Sequence, residues 1–498
     1  MSELIKSLSG IRGIVGKSIT LVEAYKIALA FYGEYLVKNA SGNRPIKIVI
    51  GKDPKLSGNI LLQGVFSAIE DISKKERQKF ELIYLGTATT PMIQWAIINY
   101  KAQGGIIITA SHNPIEWNGI KLISGKNNND YGTLLKPEQM QKIIDKFDRT
   151  DKEINFRFKP GTVLPKIRKD VLTGYNRDVL RKVKNVIDLC CGQKGKGTQV
   201  FDKIRGKEFK VIIDACSRSG AEFPKSFLLS IGILPQNIIV LNNNAIEQSN
   251  RPLEPIPQHL AILKSAIQKF NADIGFAFDP DQDRLVAMPL RNEEYTPLLA
   301  GKFLLELQKD NKKKYIKCIP VNLSTTGAWE EIAGHYGIEI SRTPVGEINV
   351  VNAMINNKTV FGAEGNGGTI LGTVNYGRNS TVGMALLLCY IAESGKSIAE
   401  LEKEIPPYVL IKRKLRLANP KLKLRLVRDY YEKNNSVDSI NNSDGYKILF
   451  KDNSWIHVRA SNTEPLVRII AEGKIEGKMF ETYKKVNKLI QQTKSIMV

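Results

Sequence analysis

The chain has 498 residues, 42% of them hydrophobic and 25% charged, which at ~150 residues per domain suits a globular protein with several cores. Intrinsic disorder, a collagen-like repeat and a disulfide scaffold are excluded by that balance. The formal charge of +23 invites a nucleic-acid partner, but the lysines are scattered in twos and threes. With no arginine–aromatic stripe, RNP-like run or basic helix, the expectation is no nucleic acid and an attraction for small anionic substrates.

Residues 1–13 (MSELIKSLSGIRG) carry neither an apolar signal core nor a small-residue cleavage site. The longest apolar run, residues 384–391 (MALLLCYI), is too short to span a bilayer and reads as a buried turn or two of helix. A cytoplasmic protein with no membrane partner is expected. The five cysteines include no C-x-x-C pair, and the four histidines (His112, His259, His335, His457) are dispersed, so neither zinc nor disulfides are expected.

In chain order, short apolar runs are each followed by a polar loop and a helical pattern. Strands are predicted at 47–51 (KIVIG), 105–109 (GIIIT), 210–214 (KVIID), 274–278 (IGFAF) and 316–321 (IKCIPV), with helical spacing at 56–72 and 226–231. This alternation indicates α/β layers with mostly parallel sheets, whose ligands lie at the carboxyl ends of the strands. Four units are expected, at 1–155, 160–268, 269–395 and 405–498. A charged, Pro-containing linker is expected at 146–165, an exposed Gly/Lys-rich insertion at 190–209, and no internal repeat is evident.

Two of the chemistry-bearing segments, TASHNP and DPDQDR, sit directly after strands. SGIRG (9–13) sets Arg12 in a Gly-flanked turn. TASHNP (109–114) places Ser111 on a strand-to-loop corner, where a nucleophile is exposed. His112 is not expected to be its base, because adjacent extended residues point to opposite sides. DPDQDR (279–284) offers Asp279, Asp281 and Asp283 on one side of a loop, a cluster that repels itself unless a cation sits there; oxygen donors of this kind suit Mg²⁺. An EF-hand is excluded, since Arg284 and Leu290 stand where Gly and Glu are required. In FGAEGNGGT (361–369), Glu364 and Asn366 can read sugar hydroxyls, while Gly367 and its neighbours permit close backbone approach. RASNTEPLVR (459–468) is dense in donors for a phosphate dianion. Neither a P-loop nor a G-x-S-x-G elbow is present.

This ordered set resembles the α-D-phosphohexomutase family over essentially the whole chain. The resemblance rests on SGIRG, TASHNP with Asn118-Gly119-Ile120-Lys121 after it, DPDQDR, the E-x-N-G-G loop and R-x-SNTEP. It implies three similar mixed-sheet α/β domains plus a smaller C-terminal α+β domain around a central cleft. It also implies an isomerase that interconverts hexose 6-phosphate and hexose 1-phosphate through a phosphoserine and a 1,6-bisphosphate. Ser111 is then the phosphoserine, and Mg²⁺ is held by it with Asp279, Asp281 and Asp283. Arg12, Lys121, His112 and Arg284 belong to the catalytic group. Glu364, Asn366 and Gly367 are the sugar loop, and Arg459, Ser461, Asn462, Thr463 and Arg468 the phosphate loop. Partners are hexose phosphate and a hexose bisphosphate primer, in a monomer or homodimer. Glucosamine is the expected sugar, with mannose or glucose as the alternative. An inactive sugar-phosphate binder or nucleic-acid-associated protein and an aspartyl-phosphate phosphatase are the rivals from other classes. The chain departs from the family pattern at Gly51-Lys52-Asp53-Pro54-Lys55, at Ser217-Arg218-Ser219-Gly220 and at Gly377-Arg378-Asn379-Ser380, where a carboxylate is lost.

Overall fold

The computed structural model describes residues 4–39, 44–125, 131–150, 165–416, 420–460 and 466–491. The first sheet is built from β1 (Ile5–Ser7), β2 (Gly10–Ile14), β3 (Ile46–Lys52), β4 (Phe80–Thr87), β5 (Gly104–Ile108) and β6 (Trp117–Ser124), in the order β1-β2-β6-β5-β3-β4. The second holds β7 (Val211–Asp214), β8 (Ile238–Leu241), β9 (Ile274–Phe278) and β10 (Leu285–Met288), ordered β10-β9-β7-β8. In the third, β11 (Cys318–Asn322), β12 (Glu339–Thr343), β13 (Phe361–Glu364) and β14 (Gly368–Leu371) run β12-β11-β13-β14. The fourth contains β15 (Val409–Arg416), β16 (Val437–Asn441), β17 (Tyr446–Phe450), β18 (Trp455–Ala460) and β19 (Leu466–Gly473), ordered β15-β19-β18-β17-β16 and antiparallel throughout.

The first three sheets share one plan. A central strand (β3, β7, β11) has a parallel neighbour on each side, and the third parallel strand turns back into an antiparallel fourth. Strands covered on both faces become continuous apolar runs, which is why residues 47–51, 105–109 and 274–278 were legible. β5 and β9 are buried along their whole length. The three turns after the third strand are 109–116, 279–284 and 365–367, the same position in each unit. The repeat absent from the sequence is therefore present in topology.

One apolar core runs through the first three units, from Val49 to Ile405, while the fourth has its own, around Val427, Ile456 and Val486. The run 384–391 lies buried in the helix Ser380–Ser394. No described helix is long and apolar enough to cross a membrane.

Two expectations need correction. A boundary between 268 and 269 would cut the second sheet, because β9 pairs with β7; the metal loop thus belongs to the second unit, which extends through β10. The segment 190–209 is not an exposed insertion. It ends the helix Val171–Cys191, forms the helix Lys196–Gly206, and buries Val200, Phe201, Ile204 and Phe209 fully. Its charged residues lie around an apolar stripe, and Gly197 is buried against the Lys184 backbone. Most of the linker 146–165 falls outside the described residues.

Candidate active site

Ser111 adopts φ +53°, a left-handed conformation that costs an L-residue strain and recurs at functional corners. It is held there by its own N–H, which donates to Thr109 Oγ1 at 2.8 Å, while that hydroxyl donates to Asp53 Oδ2 at 2.7 Å. The left-handed turn also overturns the expected orientation of His112. The ring does not point away: Nδ1 lies 3.3 Å from Ser111 Oγ. Burial, with Arg284 and Arg12 nearby, holds the imidazole well below its usual range, so it is neutral.

Lys55 anchors the rest of the loop. Its side chain is fully buried, and Nζ donates to the carbonyls of Asn113 (3.0 Å), Pro114 (3.2 Å) and Trp117 (3.0 Å). An ammonium with three donors and no flat fork suits three converging carbonyls.

Ser111 Oγ donates to Asp279 Oδ2 at 2.8 Å, so the turn after β5 meets the turn after β9. Carboxylate oxygens of Asp279, Asp281 and Asp283 lie within 4.8 Å of one another, all buried. Lys121, buried on β6, donates to Asp281 Oδ2 at 2.6 Å and Asp283 Oδ2 at 3.1 Å. Burial raises Asp279 well above the usual carboxylate range, with Asp281 and Asp283 adding to it. Burial works against the charges of Asp281 and Asp283 too, but Lys121 beside both and Arg378 beside Asp283 hold them low. Asp281 Oδ1 and Asp283 Oδ1 are buried without any hydrogen-bond partner, an arrangement that a hard divalent cation with oxygen ligands fits.

Arg12 on β2 pairs with Gly119 on β6, and a Cβ on Gly119 would stand 2.7 Å from Arg12 Cγ. The glycine of the N-G-I-K stretch thus lets Arg12 lie flat toward the serine loop, where Nη1 donates to Asn113 Oδ1 at 3.1 Å. Arg284 Nη1 donates to Glu254 Oε1 at 3.2 Å.

From the third unit, Glu364 ends β13 and accepts from Asn322 Nδ2 at 2.9 Å. Gly367, at φ +84°, packs against the Leu285 carbonyl where a side chain would collide; its role is the turn rather than the cavity wall. From the fourth unit, Arg459 and Arg468 are cross-strand neighbours, and Lys414 on β15 pairs with Arg468 on the other side. Residues opposite one another share a face, so Lys414, Arg468 and Arg459 form a row of three cations.

A single cavity of about 1200 Å³ is lined by Arg12, Ser111, His112, Lys121, Arg284, Glu364, Asn366, Arg459 and Arg468. The three aspartates sit beneath Lys121 and Ser111. Ser461, Asn462 and Thr463 lie outside the described residues. The cavity also contains residues that sequence reasoning missed: Glu347, Arg378, Lys414 and Arg416. The period-two charges Lys412, Lys414 and Arg416 were the available signal for a polar strand face. Nothing in the local sequence marked Glu347.

Comparison with known proteins agrees with this arrangement. Four family models match in succession: Phosphoglucomutase/phosphomannomutase, alpha/beta/alpha domain I over residues 4–154, domain II over 193–290, domain III over 293–408, and the C-terminal domain over 413–487. A phosphoglucomutase/phosphomannomutase of Thermococcus kodakarensis is 30% identical over 490 residues, covering 97% of each chain. A phosphoglucosamine/phosphogalactosamine mutase of Sulfurisphaera tokodaii is 28% identical, over 97% of this chain and 98% of that one. The crystal structure of a phosphoglucomutase/phosphomannomutase family protein from Burkholderia thailandensis superposes with a TM-score of 0.76 at 19% identity, covering 99% and 98%. Matched along nearly its whole length, and with the serine, carboxylate and arginine loops facing one cavity, the chain belongs to the α-D-phosphohexomutase family of isomerases, the intramolecular phosphotransferases.

Proposed function

We propose that the chain interconverts the 6-phosphate and 1-phosphate of a hexosamine, with glucosamine as the sugar. The observation that supports the reaction is the 2.8 Å contact between Ser111 and Asp279 on the floor of a cavity whose wall carries Arg459 and Arg468. One end transfers a phosphoryl group while the other holds the phosphate that is not reacting.

In the proposed cycle Ser111 carries a phosphoryl group. A substrate hydroxyl attacks it, the serine Oγ–P bond breaks, and a hexose 1,6-bisphosphate forms. The bisphosphate turns over, and its other phosphate returns to Ser111 Oγ with release of the product hydroxyl. Arg12 and Lys121 hold positive charge beside the transferred oxygens, and neutral His112 is placed to accept or return the hydroxyl proton. Asp279, Asp281, Asp283 and the phosphoserine would hold Mg²⁺, which supplies charge neutralisation for the phosphoryl oxygens. Glu364 and Asn366 read ring hydroxyls. Arg459, Arg468 and the segment 461–463 bind the distal phosphate in either orientation of the bisphosphate.

The choice of glucosamine is favoured by the name of the Sulfurisphaera tokodaii relative, a phosphoglucosamine/phosphogalactosamine mutase. The second reading, glucose or mannose, is favoured by the name of the Thermococcus kodakarensis relative. The test is mutase turnover with Mg²⁺ and a trace of glucose 1,6-bisphosphate on glucosamine, glucose and mannose 6-phosphates, with Ser111→Ala as control. A serine-dependent preference for glucosamine 6-phosphate supports the proposal. Comparable rates on glucose and mannose overturn the sugar assignment, and absence of any serine-dependent rate overturns the mechanism.

A further inference from the structure

Arg378 lies in the turn Gly377-Arg378-Asn379-Ser380, between β14 and the helix Ser380–Ser394. Its guanidinium reaches three carboxylates from three separate segments. Nη2 donates to Asp283 Oδ2 at 2.6 Å, Nε donates to Glu347 Oε2 at 2.9 Å, and Nη1 lies 3.2 Å from Glu364 Oε2. All four side chains are nearly enclosed, at 11% exposure for Arg378 and 0%, 7% and 3% for the acids in the same order. The aliphatic stem crosses the sugar loop as well: a Cβ on Gly368 would collide with Arg378 Cδ. The loop closes over the arginine because that position is glycine.

A planar fork with five donors can serve three acceptors at once, which a lysine ammonium on the same path cannot reach. Asp283 is contested, since Lys121 donates to it too and Arg284 stands 3.9 Å away. Arg378 therefore adds positive charge to a carboxylate of the metal cluster while tying Glu364 and Glu347 to it. We propose that Arg378 is a positioning residue that fixes Glu364 in the sugar loop by way of Asp283, raising sugar affinity and lowering affinity for the divalent cation. The inference rests on the metal and sugar roles proposed above.

The two effects have opposite signs, which separates this role from a purely structural one. Loss of the guanidinium leaves Asp283 with one cation fewer, so a divalent ion binds more tightly. The same loss releases two buried carboxylates that then repel each other, so the sugar loop binds less well. A residue that merely held the fold together would weaken both.

The experiment titrates Mn²⁺ into the full chain without sugar phosphate, followed by electron paramagnetic resonance, and measures glucose 6-phosphate binding by calorimetry. Wild type, Arg378→Gln and Arg378→Lys are compared. Arg378→Gln is expected to bind Mn²⁺ about tenfold more tightly and glucose 6-phosphate about tenfold more weakly. Arg378→Lys keeps the charge and loses the fork, so Mn²⁺ binding stays within about threefold while glucose 6-phosphate again weakens about tenfold. Weaker Mn²⁺ binding in Arg378→Gln, or an unchanged glucose 6-phosphate Kd in either variant, overturns the inference. Should Arg378→Gln fail to fold, Arg378→Lys decides alone. Neither measurement needs turnover, so an inactive wild type would sink the proposed reaction and leave this test standing.

Discussion

Ser111 Oγ and Asp279 Oδ2 are 2.8 Å apart although 168 residues separate them in the chain. The contact joins the same turn of two topologically equivalent units, the one after β5 and the one after β9. A second link fastens the joint: Thr90 donates to Asp281 through both its amide (2.8 Å, to the carbonyl) and its hydroxyl (2.7 Å, to Oδ2). The position of Ser111 relative to the carboxylates is thus set by two sheets, through the turns that follow β5 and β9.

That geometry separates chemistry from binding. Ser111→Ala is expected to abolish turnover, while Arg468→Ala is expected to raise KM about tenfold or more with a smaller loss in kcat, as for removal of a charge-assisted phosphate contact. Steady-state kinetics of both variants check this. Wild-type turnover in Ser111→Ala would refute the phosphoserine cycle.

Lys414 stands in register with Arg468 and lines the same cavity. It is expected to contribute a third cation to the distal phosphate. Lys414→Ala should raise KM about tenfold and weaken competitive inhibition by inorganic phosphate in parallel, with Lys414→Arg restoring most of both. An unchanged inhibition constant for phosphate would remove Lys414 from the site.

Lys55 spends its whole donor set on three carbonyls of the serine loop. Lys55→Met leaves those acceptors and buried Asp53 without their cation, and is expected to cost about 3–5 kcal/mol of stability. Phosphate carried by Ser111, read by mass spectrometry after incubation with glucose 1,6-bisphosphate, should fall with it. Full stability in Lys55→Met would show that the carbonyls find other donors.

His457 gives the molecule an acid sensitivity outside the catalytic floor. Its Nε2 faces the Asp444 carbonyl at 2.7 Å, so that nitrogen carries the hydrogen, and Nδ1 accepts from the Ser324 hydroxyl at 2.9 Å. Burial, with Lys447, Arg459 and Arg342 nearby, pushes its pKa down to about 3. The unfolded chain takes up this proton near ~6.5, so the contribution is complete above that pH and is lost progressively as pH falls toward the folded value. Between about pH 7.5 and about pH 5 the stability advantage of wild type over His457→Gln should shrink by about 2 kcal/mol. Urea unfolding of both proteins at the two pH values measures it; a constant gap would show that the imidazole titrates normally.

Much of the site was readable before any coordinates. Ser111 and the three aspartates follow apolar runs that only a buried strand explains, and Glu364, Arg459 and Arg468 belong to local motifs. The segment 190–209 was misread because its Gly and Lys content outweighed the helical spacing of Val200, Phe201 and Ile204. His112 was misread because its orientation depends on the φ of Ser111, which residue type does not disclose. The turn Gly377-Arg378-Asn379-Ser380 was read only for its lost carboxylate, and nothing local marked Arg378 as a three-way ion-pair partner.

By itself the sequence determined which residues stand at each strand end, because burial on both faces and turn chemistry act over a few neighbouring positions. Which of those ends meet was decided by the tertiary structure. Hydrogen bonds and ion pairs act over roughly 3–4 Å, and the pairs that build this cavity, Ser111 with Asp279 and Arg378 with Asp283, Glu347 and Glu364, come from separate strands and loops. Their distances exist only once the sheets have packed and set their registers.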